Sequence, residues 1–450
     1  MHSNKGTLKN HQVGNVYFHL HEGCRLIKGV SRGAIYDLVG KKIYSVDVKL
    51  IEILEKTSNV DKIVEFAKEN GISKKEILGQ INTLEHLGLG FFHVNEIYRS
   101  IVKAESEIRF DKKRLFTLTC RIENRCNIRC HHCFSKKSWI TNCLCFRSEV
   151  NGKEMKVSEW EKLILEAHRI GCENIVIIGG EPFLSDGINN ILMTLEKVRF
   201  NNILIFTNGT ILEKDWLPFL SKTNATILVA IHSSQAKIHD GITRVNGSHA
   251  RAIRNIEILK KANIDVRGYT IVREANKSTI KETMDYVNDD LGIRHYIDYF
   301  CLDGLDYDKI KKNANYLIKR FPRIKEIDLE RFAARYIGNA CWLNKLAVDI
   351  NGDVLPCIKA KEFCLGNIRD TSLNKIIFDD KVNDYWYLKK DVIEECSKCE
   401  FRYACDDCRL NAYRLTHKLN TKYPFCTYDP LTGDWDKPLP VFDEKRRENQ

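Results

Sequence analysis

Three cysteines lie close together in the segment CRIENRCNIRCHHCF, where Cys126, Cys130 and Cys133 have the spacing C-x3-C-x2-C. A four-iron cluster takes four ligands, and thiolate is its usual protein ligand. Three thiolates can hold three irons and leave the fourth open to a substrate or cofactor, as the open position of a catalytic metal site does. A zinc knuckle completed by His131 or His132 is the alternative when this motif is taken alone.

The surroundings of the cysteine loop favour the iron–sulfur interpretation. The loop follows the extended apolar run Leu115-Phe116-Thr117-Leu118-Thr119, and Ile177-Ile178-Gly179-Gly180-Glu181-Pro182 comes about 45 residues later. Together the two motifs resemble the radical SAM superfamily. The resemblance implies that the three cysteines hold a four-iron cluster whose open iron chelates S-adenosylmethionine. It also implies that the turn at Gly179, Gly180 and Glu181 meets the methionyl amine.

Further cofactor contacts follow from the same resemblance. Thr207 and Asn208 match the position that faces the ribose, and Arg244 matches a basic position that pairs with a carboxylate. The serine usual in the fourth-strand region is replaced by Ala230, with Ser233 nearby, so Ser233 is the candidate for that contact. A surface salt bridge is the alternative role for Arg244.

Composition limits the class of protein. The 450 residues predict about three domains, and 43% hydrophobic residues suffice for buried cores. The first twelve residues are polar, and no run approaches the length needed to span a membrane, so we expect a cytoplasmic protein. In that compartment the clustered cysteines among the 17 are expected to be metal ligands rather than disulfides. The net charge of +11 is spread along the chain, so nucleic acid is not an expected partner.

The central part of the chain alternates apolar strands with amphipathic helices, which predicts an α/β fold with a parallel sheet. The predicted strands are 115–119, 174–178, 202–206, 226–231, 265–271 and 295–300. The first helix is expected to begin at Ser158, with Glu161 in a capping box, and to end at Gly171. Six such units fit the partial (β/α)6 TIM-like barrel that the resemblance implies, over residues 115–325, with ligands at the carboxyl ends of the strands.

Residues 1–100 are predicted to form a separate module, joined to the barrel by a linker at 101–114. Strand-like runs at 16–20, 34–38 and 43–45 precede three helical patterns, the last of which is capped by Ser73. This order resembles a winged-helix-like, PqqD-like module that recognises leader peptides, and an exposed edge strand could bind a peptide by β-augmentation. A plain N-terminal extension is the alternative.

The C-terminal region contains a second set of cysteines, followed by a tail at 431–450. Cys341 and Cys357 are followed by Cys396-x2-Cys399-x5-Cys405-x2-Cys408 and then Cys426. This pattern resembles the SPASM domain, predicted here at 326–430, although the last gap of the run has two residues where three are common. Zinc ribbons are the alternative.

The SPASM resemblance implies two auxiliary four-iron clusters, which makes three with the first. Ligands of the outer cluster would be Cys396, Cys399, Cys405 and Cys426, and ligands of the inner cluster would be Cys341, Cys357 and Cys408. The fourth inner ligand stays open between Cys364, Cys301 and an unfilled position. Cys143 and Cys145 are interpreted as incidental thiols or a redox pair.

The leading functional hypothesis is a radical SAM/SPASM maturase, an oxidoreductase of peptide maturation. It would use a 5′-deoxyadenosyl radical to crosslink a ribosomally synthesised precursor peptide through a thioether or carbon–carbon bond. Its expected partners are the peptide, whose leader binds the N-terminal module, and an external electron donor of flavodoxin or ferredoxin type. The alternatives are the same chemistry on a folded protein, as in sulfatase maturases, or on a small molecule, and a zinc-stabilised protein without activity. Several acidic residues, such as Asp303 and Asp306, are candidates for a general base, and none of them is chosen.

Overall fold

The computed structural model describes residues 15–97, 113–130, 133, 153–298, 327–424 and 426–435. The predictions for His131, His132, Cys143, Cys145, Cys301, Asp303 and Asp306 lie outside these residues. Among the described residues, no helix is long and apolar enough to cross a membrane. The division of the chain at residues 100, 114, 325 and 430 stays a prediction.

The N-terminal module contains two small antiparallel sheets and three helices. Its elements are β1 (Tyr17–Leu20), β2 (Cys24–Lys28), β3 (Arg32–Asp37), β4 (Lys42–Asp47), α1 (Val48–Lys56), α2 (Val60–Glu69), α3 (Lys74–His86) and β5 (Gly90–His93). Strands β2, β3 and β4 form one sheet in that order, and β1 pairs with β5. Ser73 caps α3 as expected, because its hydroxyl accepts a hydrogen bond from the Glu76 amide at 3.2 Å. The sequence patterns missed β2 and β5.

The central region folds into alternating strands and helices, as predicted. Its elements are β6 (Thr117–Glu123), α4 (Val157–Arg169), β7 (Asn174–Gly179), α5 (Ile188–Val198), β8 (Asn202–Thr207), α6 (Leu217–Lys222), β9 (Ala225–Ala230), α7 (Ala236–Thr243), α8 (Ser248–Lys261), β10 (Asp265–Ile271), α9 (Ile280–Asp285) and β11 (Arg294–Asp298). The strands lie in the order β11-β10-β9-β8-β7-β6 and are all parallel. This open parallel arrangement is consistent with a partial barrel.

The predicted cap of the first central helix was wrong. Helix α4 begins at Val157, and the Glu159 carboxylate accepts a hydrogen bond from the Lys156 amide at 2.7 Å. Arg369 also binds Glu159, at 2.6 Å, and lowers the pKa of that carboxyl to about 2. The tertiary partner therefore selects Glu159 over Glu161. The helix ends as predicted, before Gly171, whose φ of 84° suits glycine.

The C-terminal cysteine-rich region extends the central sheet instead of standing apart from it. Its elements are α10 (Leu329–Ile337), β12 (Lys345–Val348), β13 (Asp353–Leu355), β14 (Gly366–Asn367), α11 (Leu373–Phe378), α12 (Asn383–Trp386), α13 (Glu394–Ser397) and α14 (Arg409–Thr416). Strand β12 pairs in parallel with β6, and β13 and β14 follow as antiparallel strands. The sheet of nine strands therefore joins both regions.

A buried ion pair stabilises this junction. Arg121, on β6, donates to Asp349, which follows β12, at 3.0 Å, and their side chains are 2% and 3% exposed. Lys361 approaches the other oxygen of Asp349 at 2.7 Å. Burial opposes the negative charge of Asp349, but Arg121 and Lys361 hold its pKa below the usual range.

The N-terminal module packs directly on the cysteine-rich region. A shared apolar core contains Ile27, Ala34, Tyr36 and Leu38 from the module and Ile327, Phe332, Tyr403 and Ala404 from the C-terminal region. The Tyr36 hydroxyl donates to the Glu400 carbonyl at 2.8 Å, and the Val30 amide donates to the Lys398 carbonyl at 3.0 Å. The module is therefore docked beside the cysteines at 396–405.

We expect Arg121→Met to lower the free energy of unfolding of the metal-free protein by about 3 kcal/mol, because the substitution leaves Asp349 buried with less compensation. Urea denaturation followed by tryptophan fluorescence measures the change. The matched control is Lys277→Met, which removes an exposed pair with Glu274 and should cost about 0–1 kcal/mol. Equal losses in the two variants would contradict a role for the buried pair.

Candidate active site and its cysteine groups

The loop that carries Cys126, Cys130 and Cys133 leaves the carboxyl end of β6, and all three cysteines are half-buried. The Cys133 amide donates to the Cys130 carbonyl at 3.1 Å, which turns the chain between the last two cysteines. The Arg129 amide donates to the carbonyl of Thr243, the last residue of α7, at 2.8 Å. The loop is thus attached to the helix that follows β9.

The Gly-Gly pair at the end of β7 lies directly against the start of the cysteine loop. A Cβ on Gly180 would lie 2.3 Å from the Arg125 carbonyl oxygen and 2.6 Å from that of Asn124. The Gly180 amide donates to the Glu123 carbonyl at 2.7 Å, and the Glu181 amide donates to that of Arg125 at 2.8 Å. Glycine is therefore required here because the backbones meet without room for a side chain.

The Glu181 side chain is completely buried and connects β7 to β8. Its carboxylate accepts hydrogen bonds from the Thr207 hydroxyl at 2.8 Å, the Asn208 amide at 2.7 Å and the Phe183 amide at 3.1 Å. Burial raises the pKa of Glu181 from 4.5 to about 7, although these three donors oppose the rise. The side chain positions the end of β8.

Asn208 connects the end of β8 to the cysteine loop. Its side-chain nitrogen lies 3.7 Å from Cys126 Sγ and donates to Asn127 Oδ1 at 2.8 Å. Its oxygen accepts from the Thr210 amide and hydroxyl at 2.9 and 2.6 Å. Three neighbouring parallel strands thus bring Cys126, Gly180, Glu181 and Asn208 to one edge of the sheet, where α/β proteins bind ligands.

The two candidates after β9 lie in different environments. Ser233 is fully buried, with its hydroxyl 3.1 Å from that of Thr279 and accepting from the Gln235 amide at 3.1 Å. Arg244 is exposed and ends α7 in a left-handed conformation, with φ of 57°. These contacts give Ser233 a structural role within the loop and leave the guanidinium of Arg244 at the surface.

Four cysteines of the C-terminal region form one group, which we call the outer thiol group: Cys396, Cys399, Cys405 and Cys426. Cys405 interacts electrostatically with Cys396 and Cys426, and Cys399 interacts with Cys405 and Cys426. Burial raises the pKa of Cys396 to about 11 and that of Cys405 to about 12. In the absence of metal the Cys396 and Cys405 thiols are therefore neutral, and metal binding must displace their protons.

Three other cysteines form what we call the inner thiol group: Cys341, Cys357 and Cys408. Cys341 interacts with the other two, and Cys408 also interacts with Cys357. Cys341 retains exposed surface, but the protein around its thiol raises its pKa to about 12. Cys408 immediately precedes α14, and burial raises the pKa of its thiol although the Asn411 amide opposes the rise.

Cys364 lies apart from these contacts, since its thiol donates to the Gly366 carbonyl at 3.4 Å and its charged neighbour is Asp353. The inner fourth ligand thus stays open between Cys364, Cys301 and an unfilled position.

The outer group supplies four thiols, which is the number of ligands that a four-iron cluster takes. Among the described residues, no three His, Cys, Asp or Glu side chains are gathered closely enough to share one ion. Thiolates of a four-iron cluster bind separate irons and can lie farther apart. Two buried cations, Lys390 and Arg409, also face these thiols, so an anionic cluster would be compensated there.

Comparison with known proteins identifies both cysteine-containing regions. The profile of the radical SAM superfamily matches residues 121–287. Residues 121–287 therefore form a radical SAM domain. A second profile, the SPASM iron–sulfur cluster-binding domain, matches residues 341–400. This radical SAM enzyme therefore has a SPASM domain whose first strand, β12, extends its sheet.

Two relatives and two solved structures illustrate the similarity. The antilisterial bacteriocin subtilosin biosynthesis protein AlbA of Bacillus subtilis is 28% identical over 315 residues, covering 65% of this chain and 66% of AlbA. The AdoMet-dependent heme synthase of Methanosarcina barkeri is 23% identical over 339 residues, covering 68% of this chain and 94% of that protein.

The structure of Streptococcus suis SuiB bound to S-adenosylmethionine has a TM-score of 0.53 at 18% identity, covering 90% of this chain and 98% of SuiB. SuiB bound to its precursor peptide SuiA gives a TM-score of 0.52 at 17% identity, with the same coverage. At this identity the similarity shows a shared fold.

Sequence reasoning missed several residues around these sites. Asn127 and Thr210 bind Asn208, and Lys390, Asp407 and Arg409 lie beside the outer thiol group. One signal was available, because Asp407 and Arg409 flank Cys408 at the gap that departs from the SPASM pattern. Lys390 carried no comparable signal, since only folding brings it to the cysteines.

We expect Glu181→Gln to remove a pH dependence of stability. Above pH 4.5 the unfolded chain has lost this proton, while the folded chain keeps it up to about pH 7. The contribution of this group to stability is therefore complete below pH 4.5 and falls by about 3 kcal/mol as the pH rises through 7. Urea unfolding of wild type and variant between pH 5 and 7.5 measures the difference in slope. Thr207→Ser, which keeps the bonded hydroxyl, should retain the wild-type slope; the same slope in Glu181→Gln would contradict a raised pKa.

Proposed function

We propose that this enzyme is a maturase that modifies a ribosomally synthesised precursor peptide, forming a thioether or carbon–carbon crosslink. The observation that carries the proposal is the meeting of the three-cysteine loop, the Gly-Gly-Glu turn and Asn208 at the carboxyl ends of three parallel strands. The SPASM domain supports the proposal, as do the similarities to AlbA, a protein of bacteriocin biosynthesis, and to SuiB, whose structure includes its precursor peptide SuiA.

The residues at the strand ends would hold the cofactors. Cys126, Cys130 and Cys133 would ligate a four-iron cluster, and the backbone at Gly179 and Gly180 would receive the methionyl group of S-adenosylmethionine. When bound and reduced, the cluster supplies the electron that cleaves S-adenosylmethionine to a 5′-deoxyadenosyl radical. Thr207 and Asn208 would face the ribose, while Glu181 keeps both strand ends in place through its three hydrogen bonds.

We further propose roles for the remaining candidate residues. Arg244 is positioned at the exposed end of α7 to meet a carboxylate, whereas Ser233 would act only through the backbone of its loop. The outer and inner thiol groups would hold two auxiliary clusters, and a flavodoxin- or ferredoxin-type protein would supply electrons. We place the enzyme in the cytoplasm, where such donors and reduced thiols occur.

The N-terminal module supports a peptide substrate. Among the described strands none pairs with the outer edge of β4, whose Lys42, Ser45 and Asp47 are exposed. The opposite edge strand, β2, continues into Val30, which binds the C-terminal region. The similarity to SuiB covers 90% of this chain. The remaining part is shorter than the N-terminal module, so the similarity includes some of that module. We infer that this winged-helix-like module binds a leader peptide along β4.

A small-molecule or folded-protein substrate is the second candidate. The heme synthase matches 94% of its own length but only 68% of this chain. That chemistry needs no leader peptide, so the alternative gains if the N-terminal module binds none.

We expect a chain with Cys126→Ala, Cys130→Ala and Cys133→Ala to release no 5′-deoxyadenosine, because the cluster that cleaves S-adenosylmethionine would have no ligands. After anaerobic reconstitution, iron analysis should fall from about twelve to about eight per chain, and chromatography with dithionite and S-adenosylmethionine measures cleavage. Cys172→Ala, which removes a buried thiol bonded to the Asn174 carbonyl, is the control and should retain both. Cleavage by the triple variant would refute the assignment.

Peptides encoded beside the gene, incubated with the reconstituted enzyme, should lose the mass of two hydrogen atoms for each crosslink. Hydrogen exchange should slow in Lys42–Asp47 when the peptide is added, because β-augmentation protects edge amides. The β1–β5 pair is the internal control and should exchange at an unchanged rate. Protection elsewhere with none in β4 would refute the leader site, and turnover of a peptide without a leader would favour the second candidate.

A further inference from the structure

Two buried cations lie beside the outer thiol group. Lys390 is 9% exposed and Arg409 is 2% exposed, and both interact electrostatically with Cys396. Lys390 also interacts with Cys405. An isolated buried cation is strongly unfavourable, so each must be compensated within the protein or by a bound group.

Within the protein a single carboxylate serves both cations. Lys390 Nζ lies 2.7 Å from Asp407 Oδ2, and the Arg409 guanidinium donates to the same oxygen. Arg409 also donates to the Leu419 carbonyl at 2.9 Å, which orients it without neutralising it. The three side chains therefore carry one net positive charge. We call Lys390 and Arg409 the cation pair and Asp407 its bridge.

The net positive charge of the cation pair faces the thiols of the outer group. Lys390 is faced by the Asp407 carboxylate and by the thiols of Cys405 and Cys396. The other buried carboxyl, Glu400, faces Cys399 and binds the Tyr428 hydroxyl.

The chain segment that carries the bridge also connects the two thiol groups. Asp407 lies within the two-residue gap between Cys405 and Cys408, and Arg409 is the first residue of α14. The shortened gap thus brings a carboxylate and a guanidinium against the outer group, while Cys408 joins the inner one.

We propose that Lys390 and Arg409, held by the Asp407 bridge, set the reduction potential of the outer iron–sulfur cluster. The inference rests on the proposed outer cluster, not on the identity of the substrate. Reduction adds a negative charge to the cluster, and fixed buried cations stabilise the reduced form because the local dielectric is low. The pair therefore keeps this cluster easier to reduce than its thiolates alone would make it.

The test uses the reconstituted full chain in the Cys126→Ala, Cys130→Ala, Cys133→Ala background, so that only the auxiliary clusters are titrated. Electron paramagnetic resonance follows their reduction, and the outer step is the one lost in Cys426→Ala. In Lys390→Met we expect the reduction potential of this step to fall by at least about 59 mV, which is a tenfold change in the equilibrium constant for one electron. The potential of the other auxiliary step should stay unchanged.

Two controls separate charge from structure. Lys390→Arg keeps the cation and should keep the potential, and Lys389→Met removes an adjacent lysine that lies over the Tyr336 ring and should also leave it unchanged. If Lys390→Met loads less iron, Arg409→Gln provides the same measurement on the second cation.

The inference is overturned if the reduction potential of the outer cluster is unchanged in whichever variant, Lys390→Met or Arg409→Gln, still loads iron. Loss of outer iron from both neutral variants, with full loading of Lys390→Arg, also overturns it, because the cations would then serve assembly. A wild-type chain without a reduction step dependent on Cys426 instead refutes the outer cluster itself. None of these redox and iron measurements depends on turnover of a peptide.

Discussion

The parallel pairing of β12 with β6 is the constraint on which the arrangement of the sites depends. The cysteine loop leaves one end of β6, and the first strand of the SPASM domain lies alongside the same strand. The buried pair of Arg121 and Asp349 stabilises this junction where water cannot screen it. Because a strand in a ladder cannot slip without breaking its hydrogen bonds, the SPASM domain is held at a defined position relative to the strand ends.

The strand ends themselves are held together by desolvated polar groups. Glu181 receives three hydrogen bonds in a completely buried position, and Asn208 extends this network to Cys126. Buried networks of this kind rigidify a site when every member is satisfied. The cofactor-binding edge is therefore preorganised by residues that themselves face the protein interior.

The N-terminal module shares an apolar core with the cysteine-rich C-terminal region. Tyr36 reaches the Glu400 carbonyl, and its own hydroxyl lies within electrostatic range of Cys399 and Cys405. The surface proposed to bind a leader peptide is thus part of the structure that surrounds the outer thiol group. This contact makes the N-terminal module and the cysteine-rich C-terminal region one packed unit.

The sequence by itself determined the class of fold and the order of the elements. Six alternating apolar runs predicted six parallel strands, because this pattern reflects local periodicity, and the resemblance to the SPASM domain implied which thiols form the outer and inner groups. Local propensity could not predict the cap at Glu159, which depends on Arg369 some two hundred residues away. The strands β2 and β5 were missed because their pairing partners, not their composition, define them.

Only the tertiary structure decided that β12 joins the barrel sheet, that Lys390 meets the outer thiols, and that Ser233 is buried. These contacts form between distant segments, where packing and desolvation outweigh any signal carried by neighbouring residues.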